Sequence, residues 1–269
     1  MFPMKYGEKF HTTTADNMTA EWIGVRLYKA DLREVLQGAL SSNTPDVHYV
    51  KNFRYPSQGG FVSYLDSFSK DANICLNHEL ISLDLEKKQL HFRNEEARPY
   101  DYIISSLPLP ELIPKIKGVP KEVFEACKKL ACTTCVIVNI GVNRNNISKA
   151  YWTYFYDKDI VFSRLSFPHM QSPHNAPPGT GSIQAEIYYS SKYRCLKRKP
   201  ASFIQPVIRD LQKCGLLKEN DEILFSEARL IPYANVIFDL ERQQALSKIH
   251  KFLDAIKIFY CGRYGEWGY

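Results

Sequence analysis

Apolar residues recur along several segments at the spacing of amphipathic helices. Asp31 can cap a helix that begins at the next residue. The apolar positions that follow share one helical face: Leu32, Val35, Leu36 and Leu40. Further helices are predicted from about Gly60, at 121–130, at 200–214 and at 239–253.

Strand patterns fill much of the remaining chain. The segment "ICLNHELISLDLEKKQLHFRN" alternates apolar and polar residues on both sides of "EKKQ", which predicts a β-hairpin. The segment "YDYIISSLPLPELI" predicts a buried strand that ends in a Ser-Ser-Leu-Pro turn. Three more segments each predict one strand: "CTTCVIVNIGV", "SIQAEIYYS" and "IKIFYCG". The aromatic-rich residues 151–167 predict two strands, one on each side of "DKD". Residues 168–181 form a loop by composition.

The order of these elements indicates the fold class. Helices and strands alternate, but not in strict βαβ order. This predicts an α/β protein of the mixed α+β kind, with a largely antiparallel sheet in the middle. The length of 269 residues allows one or two domains with a sizeable core.

Composition and charge narrow the classes of partner. The formal net charge is +6 and is widely spread; the densest basic run, "KYRCLKRK" at 192–199, is typical of a solvated face. No nucleic-acid-binding module accompanies it, so we expect no nucleic-acid partner, whereas attraction of an anionic ligand stays open. No run of about eighteen apolar residues occurs, which predicts no transmembrane segment and leaves peripheral membrane contact open.

The seven cysteines are scattered and odd in number, and the start of the chain has no signal-peptide pattern. Free thiols and a cytoplasmic location are expected. Cys132 and Cys135 form a C-x-x-C, but in a strand they would point to opposite faces, as buried structural residues. His169 and His174 lack further ligands nearby, so no metal site is expected.

Three turns share a design that could contact a ligand. "YPSQGG" at 55–60, "SSLP" at 105–108 and "CGRYG" at 261–265 each follow an extended segment. Glycine lets the backbone approach a ligand closely, and ligands of α/β folds bind beyond strand carboxyl ends. The three turns could converge on one crevice, where Arg263 would suit phosphate oxygens. Each could equally be a plain turn, and Arg263 part of a surface ion pair.

Six segments, in order, resemble the flavin-dependent amine oxidase superfamily, which includes protoporphyrinogen oxidases, phytoene desaturases and UDP-galactopyranose mutases. They are "KYGEKFHTTTADNMTAEWIGVR", "YPSQGG", "LNHELISLDLEKKQLHF", "YDYIISSLPLPEL", "RLIPYANVIFDLERQQAL" and "GRYGEWGY". The resemblance implies an FAD cofactor, a small-molecule substrate and remnants of a Rossmann-like FAD-binding domain. It places residues 1–48 and 111–255 in a substrate domain and residues 49–110 and 256–269 in a partial FAD domain.

The resemblance also implies roles for particular residues. A glycine pair would pack against the flavin, a backbone position would contact the adenine, one loop would border the cofactor, and the closing turn would meet the pyrophosphate and ribityl chain. These positions are Gly59 and Gly60, Leu80, Ser105 and Pro108, and Gly262, Arg263 and Gly265. Apart from these positions, an aromatic set could line a substrate pocket or pack in the core: Tyr151, Trp152, Tyr154, Phe155 and Tyr156. Arg164 and Tyr233 are further candidates for substrate contacts. No catalytic acid or base is assigned.

The family's G-x-G-x-x-G fingerprint has no match in this sequence. The expectation is therefore a fragment of an FAD-dependent oxidoreductase of the amine oxidase and protoporphyrinogen oxidase type. Two alternatives stay open: a flavin-dependent isomerase similar to UDP-galactopyranose mutase, and a truncated, non-catalytic binding module. The oligomeric state is left open.

Overall fold

The computed structural model describes residues 2–23, 31–41 and 52–269. Its α-helices are α1 Phe2–His11, α2 Leu32–Leu40, α3 Asp66–Asp71, α4 Leu109–Leu112, α5 Lys121–Lys129, α6 Pro168–Gln171, α7 Ile204–Lys213, α8 Arg242–Ala255 and α9 Gly262–Gly265. Its strands are β1 Leu80–Asp84, β2 Gln89–Phe92, β3 Ala97–Pro99, β4 Ile103–Ser105, β5 Thr134–Val142, β6 Trp152–Tyr154, β7 Arg164–Ser166, β8 Gly181–Tyr189, β9 Ile223–Ile231 and β10 Ile258–Tyr260. No helix of the described ranges has the length and apolar character needed to cross a membrane.

The largest sheet of the described residues has five strands in the order β6-β7-β8-β5-β9, and every neighbouring pair is antiparallel. This confirms the mixed class and the antiparallel sheet that the strand patterns predicted. One face carries the core that α7 covers, in which Val138, Phe162 and Leu211 are fully buried.

Two smaller sheets lie outside this one. Strands β1 and β2 form the predicted hairpin, and β3 adds a third strand. Strands β4 and β10, far apart in the chain, pair in parallel, with Ser105 opposite Tyr260. The prediction that β4 is buried was wrong for Ile104, which is 72% exposed because this pair covers only one of its faces.

A second core joins α5 and α8 to both small sheets. It contains Leu83 of β1, Val123 of α5, Ile249 of α8 and Ile258 of β10, and Trp267 is fully buried within it. The core therefore draws on segments that the resemblance divides between two domains. Where the domain boundary lies stays a prediction.

Several elements differ from the sequence-based expectation. Helix α2 starts after Asp31 as predicted, but Leu32 and Leu40 are 73% and 88% exposed, because its apolar face meets no core of the described residues. Helix α1 and strand β9 had no prediction. The segment 168–181, expected as a loop, contains α6 and a 3-10 turn at Pro173–Asn175.

Candidate functional site

Two of the three candidate turns meet at one edge of the β4–β10 sheet. The 105–108 turn follows β4 and Gly262–Gly265 follows β10. The Cys261 amide donates to the Ser105 carbonyl at 3.0 Å. A Cβ added to Gly265 would stand 2.9 Å from that carbonyl oxygen, so the two turns touch through backbone alone. The parallel pairing thus brings Ser105, Pro108, Gly262, Arg263 and Gly265 to the same carboxyl edge.

Each turn is stabilised from within. The Ser105 hydroxyl, which is buried, accepts from the Leu107 amide at 3.2 Å. The Pro108 carbonyl accepts from the amides of Glu111 and Leu112 at the start of α4. Gly262 has a φ of +72°, a conformation that favours glycine, and open space surrounds the position of its missing Cβ. The chain bends sharply here and leaves room for a ligand.

Tyr233 connects the two turns rather than standing free. Its hydroxyl donates to the Glu111 carboxylate at 2.7 Å, and its carbonyl accepts from the Tyr264 hydroxyl at 2.7 Å. Burial and the neighbouring Glu111 carboxylate raise the pKa of Tyr233. Tyr233 therefore positions the closing turn, and nothing in the sequence pattern indicated this contact.

Arg263 supplies positive charge at the edge. Its guanidinium Nη1 donates to the Ala234 carbonyl at 3.4 Å, and the guanidinium carbon lies 5.2 Å from the centre of the Tyr269 ring. Within the described residues, Arg263 forms no ion pair with a carboxylate. The alternative of a surface ion pair therefore has no support, and the charge is available to an anion.

The glycine pair lies in a separate turn. Gly59 and Gly60 have φ of +79° and +68°, and a Cβ on Gly60 would meet nothing within 4 Å. This turn contacts the segment after α6, where the Ser172 hydroxyl donates to the Ser57 carbonyl at 2.5 Å. No hydrogen bond in the described part of the chain joins Gly59 or Gly60 to the other two turns. Their convergence stays a prediction.

Leu80 begins β1 beside an irregularity in the ladder. Leu80 pairs with Phe92, but the register shifts before Ser82. A bulge of this kind leaves peptide groups without a ladder partner, and Ile81 within it is 46% exposed. Leu80 itself is paired in the ladder and Ile81 is the residue left out of it, so the adenine contact of the Leu80 backbone stays a prediction.

A charged cluster lies on the face of the large sheet that α1 covers. Arg164 Nη2 donates to Glu186 Oε1 at 2.6 Å, and the Tyr188 hydroxyl donates to the same carboxylate. Glu186 is buried, whereas the Arg164 side chain is 36% exposed. The Arg164 Nε atom is buried with no partner in the described structure. Arg164 is thus held at one end and has donor capacity left.

The aromatic set that could line a substrate pocket splits into two groups. Tyr151 and Trp152 pack around Phe53, with ring centres 4.9 and 5.3 Å away. Tyr151 and Phe53 help to line an open cleft of about 590 Å³ next to the "YPSQGG" turn. Phe155 instead packs on Phe162 in the core. The first group fits a ligand surface, and Phe155 fits packing.

The cysteines and histidines of the two motifs pack and bond within the protein, but Cys132, expected to be buried, is only half-buried. All seven cysteines are free, and burial raises the pKa of Cys132 to about 11 and that of Cys135 further. His169 is held by the Ser182 amide and lies 3.1 Å from the Asn145 carbonyl. Over the described ranges, no group of three or more His, Cys, Asp or Glu side chains is placed to hold a metal ion.

Comparison with known proteins adds three findings. The model of a family described as flavin containing amine oxidoreductase matches residues 7–228. A structure of reduced UDP-galactopyranose mutase matches 99% of this chain with a TM-score of 0.89 at 23% identity. A candidate protoporphyrinogen oxidase from Exiguobacterium sp. 255-15 matches 76% of it with a TM-score of 0.61 at 13% identity. This chain spans 58% of the mutase chain and 46% of the second one. The fold is therefore shared over about half the length of these proteins.

Proposed function

The chain belongs to the flavin containing amine oxidoreductase family, and from this premise we propose that it supplies part of the FAD site and the substrate side of a flavin-dependent oxidoreductase. When bound, the flavin would accept a hydride from the substrate. The residues of this chain would orient the two molecules and exclude water from between them.

One observation carries the proposal: the Ser105 carbonyl accepts the Cys261 amide at 3.0 Å, so two ligand-suited turns share one sheet edge. Ligands of open α/β sheets bind beyond the carboxyl ends of strands. The edge offers glycine backbone in a left-handed conformation, and a Cβ on Gly262 would project into open space. A narrow backbone surface of this kind fits the pyrophosphate and ribityl part of a dinucleotide.

Arg263 would bind the pyrophosphate. Its guanidinium lies beside Gly262 and has no carboxylate partner among the residues described. A guanidinium fork matches phosphate oxygens in geometry and charge. The backbone at Leu80 would contact the adenine, and Gly59 and Gly60 would lie against the flavin ring, as the family resemblance implies.

We further propose that the dinucleotide cradle is completed by structure outside these 269 residues. Ile104 and Phe259 are neighbours in the β4–β10 pair and are 72% and 55% exposed. Parallel strands are found almost only in sheets whose two faces are covered. A βαβ unit next to β4 and β10 would cover this apolar face and add a second set of amides for the phosphates.

A second candidate is a flavin-dependent isomerase that acts on a sugar nucleotide. Arg164 favours it, because the guanidinium is anchored by Glu186, its side chain is 36% exposed, and Tyr154 is its cross-strand neighbour on β6. An anchored guanidinium suits a diphosphate substrate better than an uncharged amine substrate. UDP-galactopyranose is the corresponding substrate of the structurally similar mutase.

The test is FAD binding by the 269-residue chain, followed by flavin fluorescence. We expect weak saturable binding that falls at least about tenfold in Arg263→Ala, the loss of one charged hydrogen bond. Arg209→Ala is the matched control, since Arg209 is an exposed arginine on α7, which packs on the core of the large sheet away from this edge. Absence of saturable binding near 1 mM FAD, roughly the weakest specific range, or equal affinity of both variants, would overturn the proposal.

Substrate assays separate the two candidates. If the protein is an isomerase, the chain reconstituted with FAD and then reduced should convert UDP-galactopyranose. Arg164→Met should abolish this conversion without loss of bound FAD. An oxidoreductase would leave that sugar nucleotide unchanged. Its own substrate would reduce the flavin, and oxygen would then reoxidise it.

A further inference from the structure

Strand β9 forms an open edge of the large sheet. It runs for nine residues, Ile223–Ile231, and pairs only with β5 in the sheet order. Across the described ranges, no backbone hydrogen bond reaches its outer side. A long open edge can pair with another strand, and proteins normally protect such edges by charges, bulges or a covering element.

The edge is apolar at both ends and charged in the middle. Glu227 and Arg229 form an ion pair along the strand at 2.9 Å, in which the Arg229 side chain is 66% exposed and that of Glu227 is 36% exposed. The residues on either side of this pair are unusually exposed for their type: Leu224 51%, Phe225 54%, Leu230 45% and Ile231 36%. The charges limit random association but leave the apolar ends uncovered.

We propose that the β9 edge is a homodimer interface, in which β9 pairs antiparallel with β9 of a second copy about a two-fold axis at Ala228. A two-fold axis makes the contact self-complementary, so each contact occurs twice. Main-chain hydrogen bonds would join the two large sheets into one continuous sheet.

The sequence of β9 matches its own reverse in this register. Glu227 lies opposite the partner's Arg229, and Phe225 lies opposite the partner's Ile231. Opposite charges and aromatic–β-branched pairs are both favourable as directly facing cross-strand neighbours. Since both contacts occur twice, the interface holds two ion pairs and two apolar pairs around Ala228.

Neighbouring registers lack this match. An axis at Glu227 would place two glutamates face to face, and an axis at Arg229 would do the same for two arginines; like charges directly opposite are destabilising. A two-fold axis between two residues would pair residues whose side chains lie on opposite faces of the sheet, which a continuous sheet does not allow. Axes at Ser226 or Leu230 would set a charged side chain opposite an apolar one, whereas the axis at Ala228 sets opposite charges and apolar residues against each other on one face, with Ser226 opposite the partner's Leu230 on the other face. The charge pattern therefore favours the register at Ala228 and a second copy of this chain as the occupant.

The experiment is a charge exchange followed by light scattering of the full chain. We expect the wild type to have twice the monomer mass of 31.1 kDa at micromolar concentration. Glu227→Arg and Arg229→Glu should each raise the dimer dissociation constant at least about tenfold, because each creates two like-charge pairs. The double variant Glu227→Arg/Arg229→Glu should restore the dimer.

Mixing gives the sharpest outcome. In a heterodimer of the two single variants, every Arg faces a Glu, so the two monomeric proteins should associate when combined. Arg93→Glu, which breaks the exposed ion pair with Glu79 on another sheet, is the control and should remain dimeric. Circular dichroism verifies that each variant is folded; should a single variant unfold, Phe225→Lys takes its place and should also yield monomers.

Three results would overturn the proposal. They are a wild type that remains monomeric at about 100 µM, well above the range of specific dimers, single variants as dimeric as the wild type, and a mixture of the two that does not associate. The measurement uses no flavin, so it is independent of the FAD-binding proposal.

Discussion

The carbonyl oxygen of Ser105 lies directly against Gly265, where a Cβ would stand only 2.9 Å away. Real Cβ atoms do not approach backbone oxygen so closely, so only glycine fits here. The contact joins a turn after β4 to a turn after β10. It makes the geometry of the proposed cofactor edge depend on one missing side chain.

Gly265→Ala should therefore separate the two turns. We expect a loss of about 1–3 kcal/mol in the free energy of unfolding, the usual range for overpacking, and weaker FAD binding. Gly268→Ala is the matched control in the same segment, because its Cβ would meet only the Arg242 guanidinium at an ordinary 3.8 Å. Urea unfolding and FAD titration measure both. Equal effects of the two substitutions would contradict the prediction.

His11 should make stability depend on pH. It is 1% exposed, neither ring nitrogen has a partner in the described structure, and burial lowers its pKa to about 4. An unfolded histidine takes up its proton near pH 6.5. The unfolded state thus binds more protons between about pH 6.5 and pH 4, and the folded state should lose about 3 kcal/mol over this window as the pH falls.

His11→Phe isolates this effect. The ring packs between Phe10 and Trp22, at 4.8 and 4.6 Å, so an aromatic replacement keeps its neighbours. Both proteins share all other titrating groups, so the difference between their unfolding free energies reports His11 alone. That difference should be constant above about pH 7 and grow toward pH 4. Parallel stability curves would exclude the assignment.

Asp239 should be the costliest carboxylate to remove. It is 1% exposed and accepts from Lys192 Nζ at 2.8 Å and from the Arg242 amide at 3.0 Å. Asp239→Ala removes the acceptor shared by the Lys192 ammonium, the Tyr193 hydroxyl and the Arg242 amide, and leaves Lys192 paired with Glu241 at 2.9 Å. The lost buried hydrogen bonds should cost about 2–4 kcal/mol. Glu125→Ala, which removes an exposed ion pair with Lys128, should change stability by less than about 1 kcal/mol. Denaturant unfolding compares the two.

The double variant Asp239→Ala/Lys192→Met tests the cause. If the weakened ion pairing of the Lys192 ammonium causes the loss, removing this ammonium should recover part of the stability, and the two substitutions should be non-additive. Additive losses would assign the effect to the lost cap of α8 instead.

Lys9 of α1 should contribute to stability by binding the backbone of residues 157–162. Its ammonium donates to the carbonyls of Asp157, Ile160 and Phe162 at 2.9, 2.8 and 2.6 Å. Lys9→Met removes three donors from a partly buried site and should destabilise the protein by about 2–4 kcal/mol. Lys158→Met, an 81% exposed neighbour, should be close to neutral. A thermal unfolding series would detect the contrast.

Local signals explain what could be predicted from the sequence. The cap at Asp31 forms as expected, with the Glu34 amide donating to its carboxylate at 2.9 Å. The "EKKQ" hairpin and the antiparallel strands follow from alternation and β-branched residues, which act over a few positions. Turn residues likewise identified the 105–108 and 261–265 corners.

Contacts between distant segments could not be predicted in this way. The apolar face of α2 predicted burial, but whether a face meets a core depends on where other elements pack. Strand β9 was missed because Leu224 and Phe225 break the alternation at its start. The Tyr233 link between Glu111 and Tyr264 has no local signature. The convergence of the 105–108 and 261–265 turns was inferred from their positions at strand ends, but the parallel pairing of β4 with β10 that brings them together had no local signal.

The indole of Trp267 has a practical consequence. The side chain is fully buried, and the backbone carbonyl of Trp267 accepts from the Arg242 guanidinium at 2.9 Å. The same guanidinium lies 4.0 Å from the centre of the Phe238 ring. Truncation of the chain before Trp267 would empty this place in the core, a change comparable to Trp→Ala at about 3–5 kcal/mol. Affinity tags and truncation boundaries should therefore leave this indole and its neighbours intact.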